Sequence, residues 1–120
     1  MKKYDLEERT FQFAKSVRLT LKTLKPTQFN QDDFRQLIRS SGSVGANYIE
    51  ANEKLGEKDF LMRIKICRKE AKESEYWLRM IMECNSLPMD KKLGGLKQEA
   101  LELKKIFSAI IRNRVSNRSN

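Results

Sequence analysis

The chain has 120 residues, with 25 lysines and arginines against 16 aspartates and glutamates, a net charge of +9, two prolines and no histidine. That length carries one domain around one hydrophobic core, and the charge favours acidic partners. Without histidine the commonest general base and the commonest transition-metal ligand are missing. The sequence therefore predicts a protein that is not an enzyme and takes no cofactor or metal.

Few prolines and glycines in a chain rich in Glu, Lys, Leu and Arg point to a mostly helical protein. A first helix is predicted over residues 5–24, where Leu6, Thr10, Phe13, Ala14, Val17, Leu21 and Leu24 recur at steps of three and four. Pro26 stops it by disfavouring the helical region for Lys25. Asn30 can cap a second helix whose first turn carries Asp32 and Asp33. That helix is expected to reach Leu55 along the stripe Phe34, Leu37, Ser41, Val44, Tyr48, Ala51 and Leu55, with Gly56 as its cap or as the hinge beyond it.

A third helix begins near Glu57 or Lys58 and follows Phe60, Ile64, Cys67, Ala71, Ser74, Leu78 and Ile81. A fourth is expected from Pro88, which suits a first helical turn. It follows Leu93, Leu96, Ala100, Leu103, Phe107, Ile110 and Arg114, with Gly94 and Gly95 loosening its start. Residues 116–120 are polar and aperiodic and predict an unstructured tail. Four helices of roughly 20 to 29 residues joined by short turns describe an all-α, antiparallel up-down-up-down four-helix bundle.

Cys67 and Cys84 fall on the third helix about 25 Å apart, beyond disulfide reach. Two unpaired thiols fit a reducing cytoplasm. Residues 1–8 turn acidic where a secretory leader needs an apolar run. No stretch of 18 apolar residues exists to span a membrane. A cytoplasmic protein without a membrane partner is expected.

The second helix carries the most distinctive stretch. Seven of the eight positions from Ser40 to Asn47 are Ser, Gly, Ala or Asn. Glycine costs about 1 kcal/mol against alanine inside a helix, so Gly42 and Gly45 predict close approach by a neighbouring helix. Arg39, Ser43, Asn47 and Glu50 form one polar stripe through the same stretch. Glu50/Glu53 and Glu70/Glu73 lack the histidines of a di-iron bundle. They are read as ion-pair partners for Arg39, Arg63 or Arg68.

Charge divides unevenly along the chain. Residues 1–25 hold seven basic and three acidic side chains, residues 86–120 eight and three, and residues 26–85 ten of each. The excess is therefore placed on the first and fourth helices, with Lys2, Lys3, Arg112, Arg114 and Arg118 near a shared end. Lys15, Arg18 and Lys22 recur along the first helix. On the third, Lys65, Lys69, Lys72, Tyr76 and Arg79 share a face, a pattern that can follow phosphates while stacking a base. These basic residues are the candidate nucleic-acid contacts. Phe11 and Trp77 lie off the innermost stripes and suggest contacts between subunits of a homo-oligomer.

The run Arg39-Ser40-Ser41-Gly42-Ser43-Val44-Gly45-Ala46-Asn47-Tyr48-Ile49-Glu50-Ala51 resembles the signature of four-helix-bundle proteins encoded in intervening sequences of 23S ribosomal RNA genes. The accessory variability proteins of diversity-generating retroelements are similar. A second match is Lys58-Asp59-Phe60, followed by Ile64 to Leu78 with its glutamates and its Tyr76-Trp77-Leu78 end. The resemblance implies a homopentamer with a basic surface for RNA or DNA. In the retroelement proteins it implies a reverse transcriptase and its RNA as partners. By position, Arg39, Asn47 and Glu50 match the second-helix pattern and Glu70 and Glu73 the third. They are expected, with Ser43, to hold helices or subunits in register. Two functions follow: a nucleic-acid-binding oligomer, or an adaptor that holds an acidic protein such as a reverse transcriptase.

Overall fold

The structure is a computed structural model that describes residues 3–53 and 55–119; the side chains of Lys3, Tyr4, Arg118 and Ser119 are outside the description. The apolar stripes close on one another in four helices: α1 (Lys3–Leu21), α2 (Gln31–Ala51), α3 (Glu57–Cys84) and α4 (Lys91–Ser119). Among the described residues each helix packs on two neighbours, in the ring order α1, α2, α3, α4, and the diagonal pairs stay apart. Short connections make neighbours antiparallel, and the result is an up-down-up-down bundle of 51 × 22 × 22 Å.

The core is built from the predicted positions. Phe13 and Val17 of α1, Leu37 and Val44 of α2, Ile64 and Leu78 of α3, and Leu103 and Phe107 of α4 are all buried. Tyr48 and Phe107 meet across the centre with ring centroids 6.1 Å apart. Cys67 is buried among these side chains, donates to the Val44 carbonyl at 3.3 Å, and has its thiol pushed up to about 12 by burial. Cys84 is exposed and unpaired.

Helix ends differ from the spacing-based limits for local reasons. α1 stops at Leu21 because Thr23 and Leu24 donate to carbonyls three residues back, tightening its last turn. α2 stops at Ala51, so Leu55 is 74% exposed rather than part of the core. Gly56, at φ +119°, is the hinge into α3. Asn30 stands at the α2 N-cap without capping through its side chain. Its amide instead donates to the Lys25 carbonyl at 3.1 Å and to Asn85 at 3.0 Å, tying this loop to the end of α3.

α4 starts at Lys91, not Pro88, because the Asp90 carboxylate accepts from the Leu93 amide at 2.8 Å and caps it. Gly94 and Gly95 lie inside the continuous helix, between buried Leu93 and Leu96. Farther on, Ile111 rather than Ile110 is buried. A 3.6-residue helix drifts against a strict 3.5 repeat, so a second step of four follows Phe107. α4 also continues through residues 116–119, the part of the polar tail that the structure describes. Once a helix is nucleated, each further residue adds a hydrogen bond. Among the described residues no helix is long and apolar enough to cross a membrane.

Candidate nucleic-acid interface

The site follows from how α3 sorts its charges. Glu70 and Glu73 turn toward α2, where Arg39 donates to both, at 2.7 Å each. Glu70 is buried, with 4% of its surface exposed. Burial alone would raise its carboxyl, but hydrogen bonds from Arg39 and Ser43 and the Arg39 charge hold it below the usual carboxylate range. Asn47 donates to the Ser43 carbonyl at 2.9 Å and hydroxyl at 3.0 Å, and its own oxygen accepts from Arg63 at 3.1 Å. Arg39, Ser43, Asn47, Glu70 and Glu73 thus form a polar seam between α2 and α3. Glu50 is exposed and stands apart from it. Beside the seam, the Ser40 and Ser74 hydroxyls meet at 2.9 Å, a contact that only small residues permit.

With Glu70 and Glu73 facing α2, α3 turns Lys65, Arg68, Lys69 and Lys72 toward α4. Lys65, Arg68, Lys69 and Lys72 of α3 line an open groove with Lys104, Lys105, Ser108 and Arg112 of α4. The groove encloses about 780 Å³, and no carboxylate and no aromatic ring lines it. Lys104 is held by Glu75 at 3.3 Å. Among the described residues the other six cations have no ion-pair partner within 4 Å. Like charges gathered in a concavity focus a positive field that concentrates anions.

Four predicted contacts therefore meet here: Lys65, Lys69, Lys72 and Arg112. Arg68, Lys104 and Lys105 join them without having been singled out by spacing. Net charge per segment hides them, because the balanced middle of the chain segregates its signs by face. Arg68 is accordingly not an ion-pair partner for Glu70 or Glu73, and Arg63 bonds Asn47 and pairs with Asp59 at 3.9 Å instead. Arg114 sits apart, bonded to Glu57 and with its guanidinium 4.1 Å from the Phe60 ring centroid. Arg79 pairs with Glu83 at 2.8 Å and lines a separate hollow with Tyr76. Tyr76 leans edge-on against Trp77 at 5.0 Å. Lys2 and the side chains of Lys3 and Arg118 lie outside the described residues.

Lys15 and Arg18 of α1, and Lys22 just beyond it, belong to the opposite edge of the bundle, whereas Arg9 of α1 pairs with Glu99 of α4 at 2.7 Å. Arg18 donates to the Ala14 carbonyl at 3.0 Å and the Ile38 carbonyl at 3.3 Å, and it packs over Gly42. Lys15 and Arg18 border an apolar hollow between α1 and α2 that holds Phe11, Ala14, Leu19, Ala46 and Ile49. Lys22 borders a smaller one with Phe34 and Ile38. Lys15, Arg18 and Lys22 thus stand apart from the α3–α4 groove, while the Lys2, Lys3 and Arg118 side chains of the patch expected at the shared end lie outside the described residues. Phe11 is 59% exposed, whereas Trp77 is partly buried against the core.

Comparison with known proteins agrees with this architecture. No curated protein matches the chain. A solved structure from Bacteroides thetaiotaomicron, described as a protein with unknown function from the S23 ribosomal protein family, is similar at a TM-score of 0.78 and 28% identity. The match covers 88% of this chain and 96% of that one. The family model for the 23S rRNA-intervening sequence protein matches residues 2–109. A match over so much of the chain, on the fold described above, places this protein in the 23S rRNA-intervening sequence protein family.

Proposed function

We propose that this protein is a non-enzymatic, homo-oligomeric binder of nucleic acid that engages phosphates through the α3–α4 groove. The observation carrying this reading is the gathering, among the described residues, of six cations without carboxylate partners in one groove lined by no acidic residue. Phosphate contacts of this kind supply most non-specific affinity for RNA or DNA. They position a protein without reading sequence.

A fluorescence-anisotropy titration with a structured RNA and a duplex DNA, across a salt series, tests it. Log affinity should fall linearly with log salt. Replacing Lys69, Lys105 and Arg112 together with Ser should weaken binding at least tenfold and flatten that dependence. Unchanged binding by the triple variant would remove the site from this groove.

A second surface supports self-association. The α1–α2 hollow is mostly apolar and exposes Phe11, Leu19 and Ile49, the kind of patch that a soluble monomer rarely leaves open. In the four-helix ring this edge lies opposite the α3–α4 edge, so copies joined there would keep their basic grooves free. The adaptor reading gives the basic groove to an acidic protein instead, and such an adaptor is an oligomer too. Nuclease treatment separates the two: binding lost with nuclease belongs to nucleic acid, and binding that survives it belongs to an acidic protein.

A further inference from the structure

The groove's lining also discriminates between forms of nucleic acid. We infer that the α3–α4 groove takes the paired phosphate strands of a duplex, not a single strand read through its bases. This rests on the nucleic-acid reading above. Proteins that hold single strands combine cations with aromatic side chains on which bases stack, each worth about 1–3 kcal/mol per base. Among the described residues nothing aromatic lines this groove. The nearby rings are engaged elsewhere: Phe60 lies under Arg114, and Tyr76 leans on Trp77 beside a different hollow. A single strand would gain only phosphate contacts here and leave its bases in water.

The cation spacing favours the denser polyanion. Lys65 to Lys72 on α3, and Lys105 to Arg112 on α4, each cover about 10 Å of helix. Over that length a duplex carries about six phosphate charges, at one per 1.7 Å, and one of its strands about three. Two cation rows on helices packed roughly 8–10 Å apart can address both strands of a duplex. Only the duplex supplies charges on the scale of the six unpaired cations. Ser108, among them, adds a hydroxyl that can bond a phosphate or a ribose 2′-OH.

The full-length protein should be titrated, at one fixed salt concentration, with four labelled probes of equal length. These are a duplex RNA, a duplex DNA, an oligo-uridine and an oligo-thymidine, the last two lacking self-structure. At least tenfold tighter binding to duplexes than to single strands is expected, with no change when the duplex sequence is shuffled. In a separate salt series on the duplex, Lys69→Ser with Lys105→Ser, both at exposed positions, should lower the slope by about two contacts at roughly 0.9 each. Preference for duplex RNA over duplex DNA would assign a role to the 2′-OH, and equal affinity would assign the binding to phosphate alone. Single strands bound as tightly as duplexes would overturn this inference while leaving the nucleic-acid reading intact. Binding to none of the four would overturn that reading itself.

Discussion

At Glu70 two opposing effects meet. Burial disfavours its charge, while Arg39 and Ser43 stabilise it more strongly, so its folded-state proton affinity is lower than that of a free carboxyl. Its contribution to stability is therefore complete above the unfolded-state value, near pH 4.3. It is lost as pH falls through the lower folded value. Stability measured by urea unfolding should drop more steeply between pH 5 and pH 3 in the wild type than in Glu70→Gln. Parallel pH profiles would mean that the ion pair is not carrying the effect. Arg39→Ala leaves Glu70 buried with one charged partner fewer and should cost about 2 kcal/mol, read as a lower urea midpoint at unchanged slope. Glu73→Gln, at a half-exposed partner, should cost less than about 1 kcal/mol. The contacts of Arg39, Ser43 and Asn47 with α3 follow the polar stripe that the sequence sets in a run of small residues. Glu50 continues that stripe in sequence yet lies exposed near the end of α2.

The α1–α2 pair shows what glycine does at the scale of an element. A Cβ placed on Gly45 would meet the Thr10 hydroxyl at 3.0 Å and its Cβ at 3.3 Å. Thr10 is itself buried and committed to the Glu7 carbonyl at 3.0 Å. Gly45→Leu should destabilise the bundle by about 1–3 kcal/mol through overpacking, measured by thermal melt. A melt at the wild-type midpoint would mean that the helices separate freely at this level. Helix stripes were readable because apolar spacing follows the helical period over several turns. Helix ends were less so: Asp90 as a cap, or the early stop of α2, depends on single hydrogen bonds and one hinge that the periodic pattern does not encode.

For the whole molecule, the charge distribution is the decisive property, and counts by segment do not resolve it by face. Counting by segment assigned the excess to the terminal helices. The fold instead gathers α3 cations from a segment of zero net charge with those of α4, and it places Lys15, Arg18 and Lys22 on another edge. Arg112 and Arg114 are two residues apart but differ in environment: Arg112→Ser should weaken nucleic-acid binding, whereas Arg114→Ser should mainly loosen the contact with Glu57 and Phe60. Phe11→Ser with Ile49→Ser should lower the oligomer mass in light scattering while leaving helical circular dichroism unchanged. An unaltered mass would place the subunit contact outside the α1–α2 hollow.

The most direct measurement compares two double variants on one labelled duplex at the same salt. Lys69→Ser with Lys105→Ser removes two charges from the groove, and Lys15→Ser with Lys22→Ser removes two from the α1–α2 edge. Affinity should fall severalfold more in the groove variant than in the α1 variant. Equal losses would make binding a consequence of net charge alone and contradict a site between α3 and α4.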